Sequence, residues 1–112
     1  MANFQSITPI KIAQAVMTVS PVLFYTVPDS SRLFLKDINI TNTTSSVVGA
    51  TIYLVPVGGS TSTTNALMYK WNLYAYDLYR WQGVQIMNAG EKIYIEATNT
   101  GLTVVASGAQ AV

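Results

Sequence analysis

The sequence predicts an all-β domain, an antiparallel β-sandwich or small jelly-roll-like barrel with an extended N-terminal arm. Three observations carry this. In Lys92–Ala97, Ile93, Ile95 and Ala97 alternate with Lys92, Tyr94 and Glu96, the period of a strand with one buried and one wet face. Turn signals recur about every ten residues, among them Asn88-Ala89-Gly90 and Asn99-Thr100-Gly101, which tolerate positive φ at a chain reversal. No stretch shows convincing helical periodicity apart from a short possibility at Ile10–Met17, where Ala and Gln favour helix.

Taken in order, residues 1–20 form a section marked off by Pro9 and Pro21, and 21–112 form the β-sandwich domain. Met17-Thr18-Val19 and the prolines pull the first section toward extended chain, an arm or edge strand. Its apolar Ile10, Ile12, Val16 and Met17 suit docking on a neighbour. Val22–Val27 is a strand closed by the turn cluster Pro28-Asp29-Ser30-Ser31. In Leu33–Thr41, Phe34, Ile38 and Ile40 are expected on one face and Asn39 and Thr41 on the other. Lys36 interrupts that pattern, and a bulge near Lys36-Asp37 restores the register.

Val48–Val57 is apolar on both faces, as in a strand covered on both sides, and Pro56 restricts its late part to an edge or end. Gly58–Asn65 contains no hydrophobic residue and reads as an exposed, mobile loop. The aromatic section that follows places Tyr69 with Trp71, Tyr74 with Tyr76, and Tyr79 with Trp81 at spacings of two. It reads as one strand, or two broken at Asn72. Val84–Met87 leads into a three-stranded meander ending at Gly108.

The 112 residues suffice for one domain and one core. Six basic and five acidic residues make only 10% of the chain charged, against about a quarter in an ordinary soluble domain. Two causes are consistent with that: a neutral-polar surface rich in Ser, Thr and Asn, and cover by neighbouring subunits. The net charge of +1 and the lack of any basic run argue against nucleic-acid binding. No apolar run reaches the length of a membrane span, and the N-terminus lacks the pattern of a signal peptide.

There is no His and no Cys, which removes the usual nucleophile–base pairs and thiolate metal sites. Among the carboxylates, only Asp37 and Asp77 sit near apolar surroundings, and Lys36 and Arg80 are close enough in sequence to pair with them. No phosphate loop or calcium-loop spacing occurs. Catalytic, cofactor and metal residues are therefore assigned to none. The aromatic run, Tyr69, Trp71, Tyr74, Tyr76, Tyr79 and Trp81, has two readings. Half of the rings fill the core and half enter a subunit interface, or the run stacks on sugar rings.

The order of pieces Tyr25-Thr26-Val27-Pro28, Lys36–Asn42, Trp81-Gln82-Gly83, Met87–Ile95 and Val104–Gly108 resembles the small all-β virion proteins of tailed bacteriophages, including capsid decoration (cement) proteins. These are turn and strand patterns, and they cover Val22–Gly108. The resemblance implies a non-enzymatic protein on the outer capsid surface, synthesised in the host cytoplasm. It also implies a homo-oligomer, usually a trimer, that clamps the major capsid protein. A carbohydrate-binding or neck, tail or fibre module using residues 69–81 is the alternative.

Overall fold

The computed structural model describes residues 6–112 and contains eight strands. They are β1 (Ile7–Val16), β2 (Val22–Thr26), β3 (Arg32–Asn42), β4 (Val48–Val55), β5 (Ala66–Leu73), β6 (Leu78–Asn88), β7 (Lys92–Ala97) and β8 (Leu102–Ala111). A first antiparallel sheet has the order β1-β8-β3-β6, and a second has β2-β7-β4-β5. Chain neighbours mostly lie in opposite sheets, and only β4 and β5 are both consecutive and paired. Four-stranded sheets wound in this way form a jelly roll.

That winding corrects the expected meander at the C-terminal end. β6, β7 and β8 do not pair with one another; β7 lies in the second sheet and the other two in the first. Gly90 (φ 85°) and Gly101 (φ 111°) do occupy the left-handed region, but their turns carry the chain across the sandwich instead of closing hairpins. Turn chemistry dictates where a reversal occurs. Pairing is decided by which edge is free to accept the strand.

The core lies between the sheets, with Leu33, Leu35, Ile38 and Ile40 of β3 facing Ile52, Ile93 and Ile95 of the second sheet. Burial of each such side chain contributes about 1.5–3 kcal/mol before the entropy of ordering is subtracted. The β3 register shifts between Leu35 and Asp37 against both of its neighbours: Lys36 is the extra residue against β8, whereas against β6 it stands opposite two residues, Gly83 and Val84. The bulge lies where the sequence indicated. It inverts the parity before it, so Leu33 and Leu35 join Ile38 and Ile40 inside while Phe34 turns to the outer face.

β4 is buried along nearly its whole length and Pro56 follows its end. The Gly58–Asn65 loop is mostly exposed but not featureless. It holds a one-turn 3-10 helix, Thr63–Asn65, closed by reciprocal capping between Ser62 and Asn65. The aromatic section forms two strands, β5 and β6, broken at 74–77 and assigned to different sheets.

Within the segment expected as an extended arm or edge strand, Ile7–Val16 is β1, the edge strand of the first sheet, paired along its length with β8. A bulge between Lys11 and Ala13 turns Ile12 inward. Beyond the strand, the Met17 N–H donates to the Leu102 carbonyl (2.8 Å) and the Thr18 carbonyl accepts from the Ala97 N–H (2.8 Å). The start of the expected arm, residues 1–5, lies outside the described residues.

Candidate interaction surfaces

The candidate contact residues divide into three groups. Ile12 (7% exposed) and Met17 (0%) belong to the molecule's own core and offer nothing to a partner. Ile10, Tyr79 and Trp81 are half-buried and pack against that core. Val16, Tyr69, Trp71, Tyr74 and Tyr76 are exposed. The physical reason is register: Tyr79 pairs with Ile40 and Trp81 with Ile38, so both share the inward face of the first sheet. Trp71 pairs with Ala50 on the facing side of the second sheet, and its ring meets that of Tyr79 with centroids 5.1 Å apart.

At one end of the sandwich the 74–77 turn is fastened to the turn after β3. The Tyr76 N–H donates to the Thr44 carbonyl (3.0 Å) and the Asn42 N–H to the Asp77 carbonyl (2.9 Å). The Asn42 side chain, almost fully buried, donates through Nδ2 to the carbonyls of Ser46 (2.7 Å), Leu73 (3.1 Å) and Tyr74 (3.1 Å). Tyr76 is held at φ 56° and is 72% exposed. A bulky residue in that region carries backbone strain of order 1–3 kcal/mol.

The outer face of the first sheet was not singled out from sequence. Cross-strand pairing aligns Pro9, Ala109, Phe34 and Ile86 in one row over all four strands, and Ile7, Ala111 and Arg32 in the next. Ile7 (65% exposed), Ile86 (57%) and the adjoining Val84 (59%) stand open to solvent. Strand spacing and rise give this end a footprint of about 250–300 Å², near the lower end of the largest apolar patches that single molecules carry. Its strand-alternation signal was present in Val84-Gln85-Ile86-Met87. Which of those residues faced out depended on bulges that sequence did not fix.

The middle of the same face is polar and carries the ion pair Asp37–Arg80 at 2.7 Å. The Arg80 hydrogen bond holds the Asp37 carboxyl below its ordinary range, and the nearby positive charge adds to this. Asp77, the other carboxylate considered for chemistry, accepts from the Leu78 N–H (2.8 Å). Asp37 is thus committed to Arg80 rather than Lys36. Among the described residues, no three His, Cys, Asp or Glu side chains converge as a metal site would require.

The outer face of the second sheet holds two adjoining hollows. One, about 310 Å³, is lined by Tyr69, Lys70, Trp71, Asn72 and Tyr74. The other, about 270 Å³, is bounded by Val19, Thr51, Lys70, Glu96 and Thr98. Lys70 is common to both. Trp71 pairs with Ala50 and Met68 with Ile52, which leaves Tyr69 and Lys70 opposite the single Thr51. The Thr51 hydroxyl accepts from the Lys70 N–H (2.9 Å), and Lys70 adopts φ 47°. Beside them the Tyr53 hydroxyl donates to Glu96 Oε1 (3.2 Å). Burial, with the Glu96 charge second, raises the Tyr53 phenol above its usual range.

The fold has a counterpart among solved structures. A chain in the structure of infectious bursal disease virus Gx strain superimposes with a TM-score of 0.56 at 15% identity, over 96% of this chain and 32% of that one. The VP2 subviral particle of infectious bursal disease virus aligns at 17% identity over 95% of this chain and 32% of that chain, with a TM-score of 0.47 too low to carry weight. This chain therefore spans about a third of the length of the chains it matches, and the likeness is one of fold. No protein-family model and no curated protein matches the sequence.

Proposed function

We propose that this protein is a structural component of a virus particle, a decoration subunit that binds the outer shell as a homo-oligomer, a trimer by preference. The apolar row across the outer face of the first sheet carries the reading. Pro9, Ala109, Phe34 and Ile86 span four strands beside exposed Ile7 and Val84. In a chain only 10% charged, such a face is better suited to polypeptide than to water.

The patch is smaller than the roughly 800 Å² that each partner contributes to a stable interface. It serves as the apolar centre of a contact whose rim is the polar middle of the same sheet. Binding many times around a shell multiplies a modest affinity. The sharing of the jelly-roll fold with a chain of a virus particle supports this reading.

Sedimentation velocity of the purified protein at micromolar concentration is the test. An oligomer that Ile86→Asp or Val84→Asp converts to a folded monomer is the expected result. A stable wild-type monomer that also fails to associate with shell particles overturns the proposal.

A further inference from the structure

We propose that the outer face of the second sheet binds a neutral oligosaccharide, in a groove crossing β5 from the Tyr69–Tyr74 hollow over Lys70 to Glu96 and Thr98. This is a binding site distinct from the apolar face assigned to assembly. Of the two hollows, the one of about 310 Å³ lies at the lower end of the roughly 300–1,000 Å³ range of small-ligand sites and the one of about 270 Å³ just below it. They meet at Lys70, so together they accept a short chain of rings rather than one isolated ring.

The chemistry of the lining selects the ligand class. Tyr69 and Tyr74 are half to two-thirds exposed and offer flat apolar faces of the kind that stack on the C–H side of a pyranose. Asn72, Thr98 and the unshared Glu96 oxygen supply donors and acceptors for ring hydroxyls. One ammonium and one carboxylate line the groove, so its formal charge is zero. That balance disfavours a nucleic acid, which wants a basic track. An added peptide strand is disfavoured too, because the bulge at Tyr69–Lys70 breaks the ladder at the β5 edge.

The bulge gives the groove its shape. It turns two consecutive side chains, Tyr69 and Lys70, over the single Thr51, and the Thr51 hydroxyl pins the arrangement. The Lys70 ammonium lies 5.4 Å from the Tyr69 ring centroid, which keeps the cation beside the platform.

The test is a printed oligosaccharide array spanning neutral hexose, amino-sugar and acidic classes, followed by calorimetry with the strongest neutral hit. Tyr69→Ala and Tyr74→Ala are each expected to weaken binding by about tenfold, the size of one stacking contact. Tyr69→Phe retains the ring and should restore affinity, while Tyr76→Asn, outside the groove, leaves it unchanged. Circular dichroism confirms that each variant is folded. An empty array, or binding indifferent to Tyr69→Ala and Tyr74→Ala, overturns the proposal. So does conversion of the oligomer to monomer by these variants, which assigns the groove to a subunit contact. Loss of oligomer through Ile86→Asp with saccharide binding intact leaves the inference standing and separates it from the assembly reading.

Discussion

The rings of Trp71 and Tyr79 meet at 5.1 Å between centroids with their planes tilted by 40°. One belongs to the edge strand of the second sheet and the other to the edge strand of the first. The contact therefore ties the two layers together along the open side of the sandwich, where no backbone ladder runs. Tyr79 also packs on the core, so the pair covers apolar side chains that water would otherwise reach.

Replacing Trp71 with Ala is expected to lower stability by about 1–3 kcal/mol, as burial and ring contact are lost together. Urea denaturation of Trp71→Ala, Tyr79→Ala and the double variant measures the coupling. A value of about 0.5–1.5 kcal/mol is expected for the ring pair.

Asn42→Ala removes the side chain that binds the carbonyls of Ser46, Leu73 and Tyr74 and accepts from the Thr44 N–H (2.9 Å). Partly buried backbone groups lose their partners, so a cost of about 2–4 kcal/mol is expected in thermal or chemical unfolding. The 74–77 turn should also exchange its amide hydrogens faster.

A Cβ on Gly108 would stand 1.9 Å from the Phe34 carbonyl oxygen and 3.0 Å from its carbon. Backbone at the β3 bulge cannot yield as a flexible side chain does. Gly108→Ala is expected to cost about 3 kcal/mol or more, or to prevent folding, as read by circular dichroism.

Tyr25 and Tyr53 both have phenols raised by burial, with Glu96 adding to the effect at Tyr53. A raised folded-state pKa stabilises below the unfolded value of about 10 and loses that contribution as pH rises through the folded value. Unfolding should thus begin on the alkaline side, together with the appearance of phenolate absorbance. Tyr25→Phe removes one of the two ionisations and also the bond to Gln110 (2.6 Å). It should shift the alkaline transition to higher pH while lowering stability at neutral pH.

Deleting residues 1–20 is expected to unfold the domain rather than merely detach an arm. The deletion removes Ile12 and Met17 from the core and strips β8 of one of its two partners. A cooperative, soluble 21–112 fragment with near-native melting would show that β1 is dispensable.

Much of the strand set was legible because each strand carries its own evidence. The alternation of Ile93, Ile95 and Ala97, the turns at Gly90 and Gly101, and the bulge at Lys36 were visible in local residue order. Side-chain parity was legible only between bulges. One extra residue at Lys36 moved Phe34 to the outer face, and two residues opposite Thr51 turned Tyr69 and Lys70 outward to form a groove.

Sequence by itself determined an all-β chain with sparse charge, no thiol or imidazole chemistry, and reversals at identifiable turns. Tertiary structure alone decided that β6, β7 and β8 alternate between layers, that Met17 is core, and that Ile7, Phe34 and Ile86 share one exposed face. The reason is that alternation and turn propensity are local, acting over two to five residues, whereas pairing joins segments such as Ile7 and Ala111 from opposite ends of the chain.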